Sequence, residues 1–366
     1  MPPIGAARSF LCPSWLLTGC AVAAAACAPP TRPPDPMNAI DAPLGTDAAA
    51  ALPWNYPVIE HGSKIGIHGI LGGPPKVFVQ DLANRGLHFG VVKAVDDLGW
   101  LLDVKQMAPE TITLARLTSE WESVPDLVNP GTDLDMLADH IMEPIAAKLA
   151  QHPEYANGID YWEVVNEPDP PGPEGYRLLA EVMKRCMTRA EAMGIHIAIF
   201  GLNAGTPEWD EIQAVVETGV FGDARRGGHI FTVHEGILPD PSEPIETCFD
   251  GTIPGSPFVD GAGCLNFRHR FFYALLEPRH EEVPVVVSEF YIGPGYEADS
   301  ASPEVLRDRL AWYDAESAHR YYEWSVQPFT LGGQNVGWDH QDYGYAYPAF
   351  LDYMDSVRDR VNQAHP

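Results

Sequence analysis

The chain has 366 residues, 45% of them hydrophobic and 20% charged, which is enough to bury one large core or two modest ones and too apolar for disorder over most of its length. Lys and Arg total 23 against 51 Asp and Glu, a formal net charge of −28. Such a surface repels phosphate backbones, so nucleic acid is excluded as an expected partner, and a polar or neutral ligand fits better than a polyanion.

Residues 1–28 read as an export signal: Arg8 supplies a positive start, and an apolar run from Phe10 to Ala26 follows, too short for a membrane span. Leu17-Thr18-Gly19-Cys20 and Ala24-Ala25-Ala26-Cys27 both have the form of a bacterial lipoprotein cleavage site, so Cys20 or Cys27 is the expected lipidated residue, with ordinary cleavage near Ala26 or Ala28 as the alternative. Residues 29–55, rich in Pro and Ala, read as a tether. The expected location is the cell surface or periplasm, with membrane contact only through the lipid.

Residues 56–366 alternate short β-branched runs with longer amphipathic stretches. Strands are predicted at Lys64–Leu71, Gly90–Asp97, Thr111–Thr118, Tyr161–Glu167, His196–Asn203, His229–Glu235, Val283–Phe290 and Tyr322–Gln327. Helices are predicted at Val77–Arg85, Leu98–Met107, Leu134–Ala150, Tyr176–Met193, Glu211–Phe221, Phe267–Leu276, Pro303–Tyr321 and Tyr347–Val361. Eight such units predict a single-domain (β/α)8 TIM barrel. A doubly wound open sheet would want a Gly-rich phosphate turn, and Gly69-Ile70-Leu71-Gly72-Gly73-Pro74 lacks its spacing.

A barrel places its chemistry at the C-terminal ends of strands. Polar residues gather there: Asp96-Asp97 after strand 2, Arg116 on strand 3, Asn166-Glu167 ending strand 4, His234-Glu235 ending strand 6, Ser288-Glu289 ending strand 7. Glu167 follows Val164-Val165 and Glu289 follows Val285-Val286-Val287, so alternation turns each carboxylate inward with the valines two positions before it. Two carboxyls facing each other across a cleft suit cleavage of a glycosidic bond, one donating a proton to the leaving oxygen and the other attacking the anomeric carbon. No His-Glu-x-x-His spacing, Gly-x-Ser-x-Gly elbow or Cys-x-x-Cys pair occurs, so neither metal nor cofactor is expected.

Tyr161-Trp162-Glu163-Val164-Val165-Asn166-Glu167-Pro168 resembles the strand-4 signature of glycoside hydrolase clan A, the retaining β/α-barrel glycosidases, and Val285-Val286-Val287-Ser288-Glu289-Phe290 resembles its strand-7 segment. The two glutamates stand 122 positions apart, three β/α units, as that layout requires. The resemblance implies Glu167 as acid/base, Glu289 as nucleophile, Asn166 on a sugar hydroxyl, His234 beside the nucleophile and Trp324, in Tyr322-Glu323-Trp324-Ser325, as the floor under the sugar. Arg116 stands where some members carry a His-Asn pair, and Asp96-Asp97 where an Arg is common, so the family within the clan is not assigned.

Arg116, among Leu114, Ala115 and Leu117, needs an anionic partner, either a catalytic carboxylate or a structural ion pair. Glu163 and Glu323 read as members of interior polar networks. Tyr291, Trp121, Trp209 and Trp338 lie in loops after strands 7, 3, 5 and 8, as sugar platforms or as loop packing. Cys186 reads as a buried free thiol, and Cys248 with Cys264 as a disulfide closing a Gly/Pro-rich loop in an oxidising compartment. The expected activity is retaining hydrolysis of an oligo- or polysaccharide. A carbohydrate-binding barrel without catalysis and a transglycosylase with the same residues are the alternatives, and the oligomeric state is not read.

Overall fold

The computed structural model describes residues 53–121, 129–236, 251–292 and 301–365. The chain divides into two units, Met1–Ala50 and Ala51–Pro366. The first lies outside the described residues, and with it the export signal and both candidate lipidation cysteines. No helix among the described residues is long and apolar enough to cross a membrane.

In the second unit eight parallel strands form one sheet in chain order: β1 (Ile67–Gly69), β2 (Val91–Val95), β3 (Ile112–Arg116), β4 (Tyr161–Glu163), β5 (His196–Leu202), β6 (Ile230–Gly236), β7 (Val285–Tyr291) and β8 (Glu323–Pro328). Parallel bridges between Ile65 and Val326 and between Gly69 and Leu331 bring the last strand onto the first and close the barrel. Gly66 permits that closure. A Cβ at this position would lie 2.4 Å from the Val91 carbonyl oxygen and 2.5 Å from Ser325 Oγ, so only glycine lets the chain pass between both neighbours.

Each strand overlaps its predicted span. The valine-rich runs of β2 and β7 are buried on both faces, because one face lines the barrel and the other meets helices. The helices are α1 (Gly73–Asn84), α2 (Gly99–Met107), α3 (Leu134–Gln151), α4 (Tyr155–Gly158), α5 (Gly172–Met193), α6 (Trp209–Glu217), α7 (Val220–Gly227), α8 (Arg270–Leu276), α9 (Pro303–Ser317) and α10 (Tyr347–Ser356). The single helix predicted over Glu211–Phe221 is two, α6 and α7, because Gly219 adopts φ 73° and turns the chain between them. The one-turn α4 was not expected. Cys186 is the buried free thiol predicted, on the inward face of α5, and burial pushes its pKa up to about 12.

The first and last described stretches tie together. His61 pairs with Val361, Asn362 Nδ2 donates to the Ile59 carbonyl at 3.0 Å, and the Tyr56 hydroxyl donates to the His229 carbonyl just before β6 at 2.7 Å. Tyr56 therefore lies at the N-terminal end of the strands, which leaves the opposite end for the site.

Candidate active site

Six strands each turn one polar side chain into the barrel, and the six meet around Glu289. His68 of β1 approaches its Oε1 with Nε2 at 3.5 Å, Lys93 of β2 with Nζ at 3.2 Å, Arg116 of β3 with Nη2 at 3.4 Å and His234 of β6 with Nε2 at 3.7 Å. Glu163 of β4 joins through Lys93, 2.7 Å from Nζ. The Tyr291 hydroxyl reaches Glu289 Oε2 at 3.4 Å. His234 and Glu289 face each other because they are register partners, after an irregularity between Val233 and His234.

Glu167 reaches the site differently from the prediction. Strand β4 ends at Glu163, so alternation does not carry through to residue 167. Instead Glu167 sits at φ 48°, a left-handed conformation uncommon outside glycine. Its N–H donates to the Gly201 carbonyl at 2.8 Å. Gly201 is needed in turn, since a Cβ there would lie 2.6 Å from the Val165 carbonyl oxygen. The turn places Glu167 Oε1 3.0 Å from His234 Nδ1. The two predicted carboxylates thus flank one buried imidazole: Glu167 is hydrogen-bonded at Nδ1, and Glu289 Oε1 lies 3.7 Å from Nε2, outside hydrogen-bond distance.

Their environments differ. Burial alone would raise the Glu289 carboxyl, but His234, Lys93, His68 and Arg116 outweigh it and hold the group well below the ordinary carboxylate range. Glu163 is likewise lowered, with burial overcome by Lys93, His234 and Arg116. Burial lowers His68 to about 4, against the pull of Glu289, so this imidazole is neutral near neutral pH. The Glu167 side chain is 32% exposed, and its ion-pair contact among the described residues is His234 alone.

Arg116 lies 3.4 Å from Glu289 and 3.7 Å from Glu163. Asn166, beside Glu167, keeps a buried Oδ1 with no hydrogen-bond partner among the described residues, open to a ligand hydroxyl. Asp96 and Asp97 serve the loops. Asp96 accepts from the Thr118 N–H and hydroxyl, and Asp97 accepts from the Gly72 N–H. Glu235 accepts from Phe267 N–H, His269 N–H and the Tyr313 hydroxyl, and Glu323 pairs with Arg270, so both belong to a network around the start of α8 and not to the site. Trp209 packs on Phe271, and Trp121 stacks on His140 with ring centroids 4.4 Å apart.

Trp324 corrects the prediction. It is the second residue of β8, completely buried, and its ring meets Tyr56 and Tyr161 at the N-terminal end of the barrel. The β7–β8 register sets it three to four residues below the level of Glu289, ~10–13 Å at ~3.3 Å per strand residue. Trp324→Ala is therefore expected to cost ~3–5 kcal/mol of stability in chemical denaturation and to leave substrate KM unchanged. The aromatic group at the right level is Phe329, directly after β8. Its ring lies 4.7 Å from His68 and 5.5 Å from Tyr291, with the 43%-exposed Trp338 at 5.1 Å on its far side. Sequence reasoning missed Phe329, His68 and Lys93. Phe329 was legible as the strand-end residue of β8, where barrels put their sites, two positions past the predicted end of that strand.

Ligand atoms of Glu163, His234 and Glu289 lie within 4.8 Å of one another, the spacing of a metal site. Lys93 and Arg116 already supply the positive charge these carboxylates call for. Of the predicted disulfide, Cys264 is disulfide-bonded, whereas Cys248 lies outside the described residues.

No family model and no curated protein sequence matches the chain. Among solved structures it is similar to a family 39 glycoside hydrolase from the gut symbiont Bacteroides cellulosilyticus WH2, at TM-score 0.51 and 14% identity over 81% of this chain and 64% of that one. It is also similar to a GH5-4 broad-specificity endoglucanase from Clostridium cellulovorans, at TM-score 0.51 and 12% identity over 81% of this chain and 94% of that one. At such identity the likeness is one of fold, and the fold shared with these glycoside hydrolases is the (β/α)8 barrel.

Proposed function

We propose that the protein is a retaining glycoside hydrolase acting on an oligo- or polysaccharide, with Glu289 as nucleophile and Glu167 as acid/base. The observation that carries this reading is the imidazole between them: His234 Nδ1 is 3.0 Å from Glu167 and Nε2 is 3.7 Å from Glu289. Glu289, held ionised by Lys93 and Arg116, attacks the anomeric carbon. Glu167, nearer solvent and without a Lys or Arg against it among the described residues, gives its proton to the leaving oxygen and then takes one from the water that hydrolyses the glycosyl ester. Asn166 offers Oδ1 to a sugar hydroxyl, Tyr291 steadies the nucleophile, and Phe329 takes the flooring role expected of Trp324. The solved structures whose fold it shares are a family 39 glycoside hydrolase and an endoglucanase, which agrees with this reading.

The test is release of reducing sugar across a panel of polysaccharides, with the anomeric configuration of the first product followed by NMR. Retention of configuration is expected. Wild-type protein that hydrolyses no member of the panel, or product of inverted configuration, would refute the proposal.

Export, lipidation at Cys20 or Cys27 and a Cys248–Cys264 disulfide complete the proposal. The disulfide predicts a single peptide-mapping species joining residues 248 and 264 that separates on reduction. Closing a loop of this length stabilises by roughly 3 kcal/mol, so reduction is expected to lower the denaturation midpoint.

A further inference from the structure

The barrel interior holds a second carboxylate that double displacement does not use. Glu163 is 2% exposed, with Oε1 2.7 Å from Lys93 Nζ and 3.7 Å from Arg116 Nε. The same two cations reach Glu289 Oε1, at 3.2 Å and 3.4 Å. Carboxylate and cation therefore alternate around a closed ring of four, with no net charge when both glutamates are ionised. The other polar groups facing Glu289 are His68 from β1, His234 from β6 and the Tyr291 hydroxyl, and Glu167 lies beyond His234. Glu163 Oε2 is buried and has no hydrogen-bond partner among the described residues. Hydrogen-bond geometry thus uses only half of this carboxylate, and its charge is what the ring requires.

We infer that Glu163 is a positioning residue that shares Lys93 and Arg116 with Glu289 and keeps the interior near charge balance when Glu289 becomes a glycosyl ester. The inference rests on the glycosidase reading above. In that step an oxygen of Glu289 bonds to the anomeric carbon, and the bond to the leaving oxygen breaks with its electron pair. The proton of Glu167 passes to that oxygen. The negative charge passes from Glu289, inside the ring, to Glu167, beyond His234, while Lys93 and Arg116 remain. With Glu163 in place the summed charge of these four groups passes from zero to +1. Without it the same sum passes from +1 to +2, in a region sheltered from water where excess charge is costly. Without Glu163 neither cation would share its charge with a second carboxylate of the ring, and both would stabilise Glu289 more strongly before it reacts.

The experiment compares full-length wild type, Glu163→Gln, Glu163→Asp and the double variant Lys93→Met/Glu163→Gln, on a polysaccharide that the wild type hydrolyses. Glu163→Gln is expected to lower kcat on the order of 100-fold with KM unchanged. Glu163→Asp keeps the charge and should retain most of kcat. The double variant restores one cation to one anion and should turn over faster than Glu163→Gln. A residue with a purely structural role would not produce that recovery, nor a loss confined to kcat. If Glu163→Gln does not fold, the aspartate and double variants carry the comparison. A double variant slower than Glu163→Gln, an aspartate variant as impaired as the glutamine one, or wild-type kcat in Glu163→Gln would overturn the inference. Absence of hydrolysis by the wild type sinks the glycosidase reading itself, and is distinct from an active wild type with an unimpaired Glu163→Gln.

Discussion

Glu289→Ala is expected to lower kcat by roughly 10⁴-fold or more, the scale on which enzymes lose a covalent nucleophile. Four nitrogen-bearing side chains converge on Oε1 of this one carboxylate, and no other group among the described residues shares its position on β7. Activity should return in part when azide is added, because a small anion entering the vacated space attacks the same face of the sugar. The glycosyl azide formed should have inverted configuration, since one displacement replaces two. The variant should also be less stable by about 3–5 kcal/mol, because Lys93 and Arg116 each lose the buried Glu289 carboxylate. The linkage has a definite sign. The Glu289 carboxyl is held well below its ordinary value of 4.5, so its contribution to stability is present above that value and is lost as pH falls through the lowered one. Urea denaturation from neutral to acid pH should show that dependence in the wild type and not in the variant. Wild-type turnover of azide-free substrate by Glu289→Ala would remove the nucleophile from this position.

Glu167→Gln should act on the other half of the reaction. It removes the proton donor while leaving the nucleophile and its cations in place, so kcat for a natural saccharide is expected to fall ~10²–10⁴-fold. A glycoside whose leaving group is an acidic phenol needs no such donor, and its first step should be nearly unaffected. Azide added to this variant should give the retained product, the opposite of Glu289→Ala, because Glu289 still performs the first displacement. Stability should change little: the Glu167 side chain is 32% exposed, and glutamine preserves its shape toward His234. Equal loss on the natural and the activated substrates would contradict the acid/base assignment.

Glu289 was legible because a strand buried on both faces leaves a recognisable apolar block before it, whereas the valines before Glu167 lie beyond the end of β4. The route by which Glu167 enters the site was not legible. A residue at φ 48° braced on the Gly201 carbonyl is a local exception to alternation, and it depends on a strand that comes more than thirty residues later. Trp324 was misplaced for a related reason. The pattern Tyr322-Glu323-Trp324-Ser325 marks a strand, but not how far along it the reaction level lies, and the register with β7 sets Trp324 below that level. Lys93 reads in sequence as a lone charge inside an apolar run, Val91-Val92-Lys93-Ala94-Val95, with nothing to indicate its partners.

The sequence by itself determined the eight β/α alternations and the apolar blocks that precede the two glutamates. Burial of one face or two is written in the local period of apolar residues, and that period needs no knowledge of distant segments. The tertiary structure decided which charges meet. Lys93 lies 70 residues from Glu163 and 196 from Glu289 along the chain, and all three come within hydrogen-bonding reach only once β8 closes on β1. Ionic interactions inside a barrel depend on separations of a few ångströms, and those are set by closure and register, not by the order of residues.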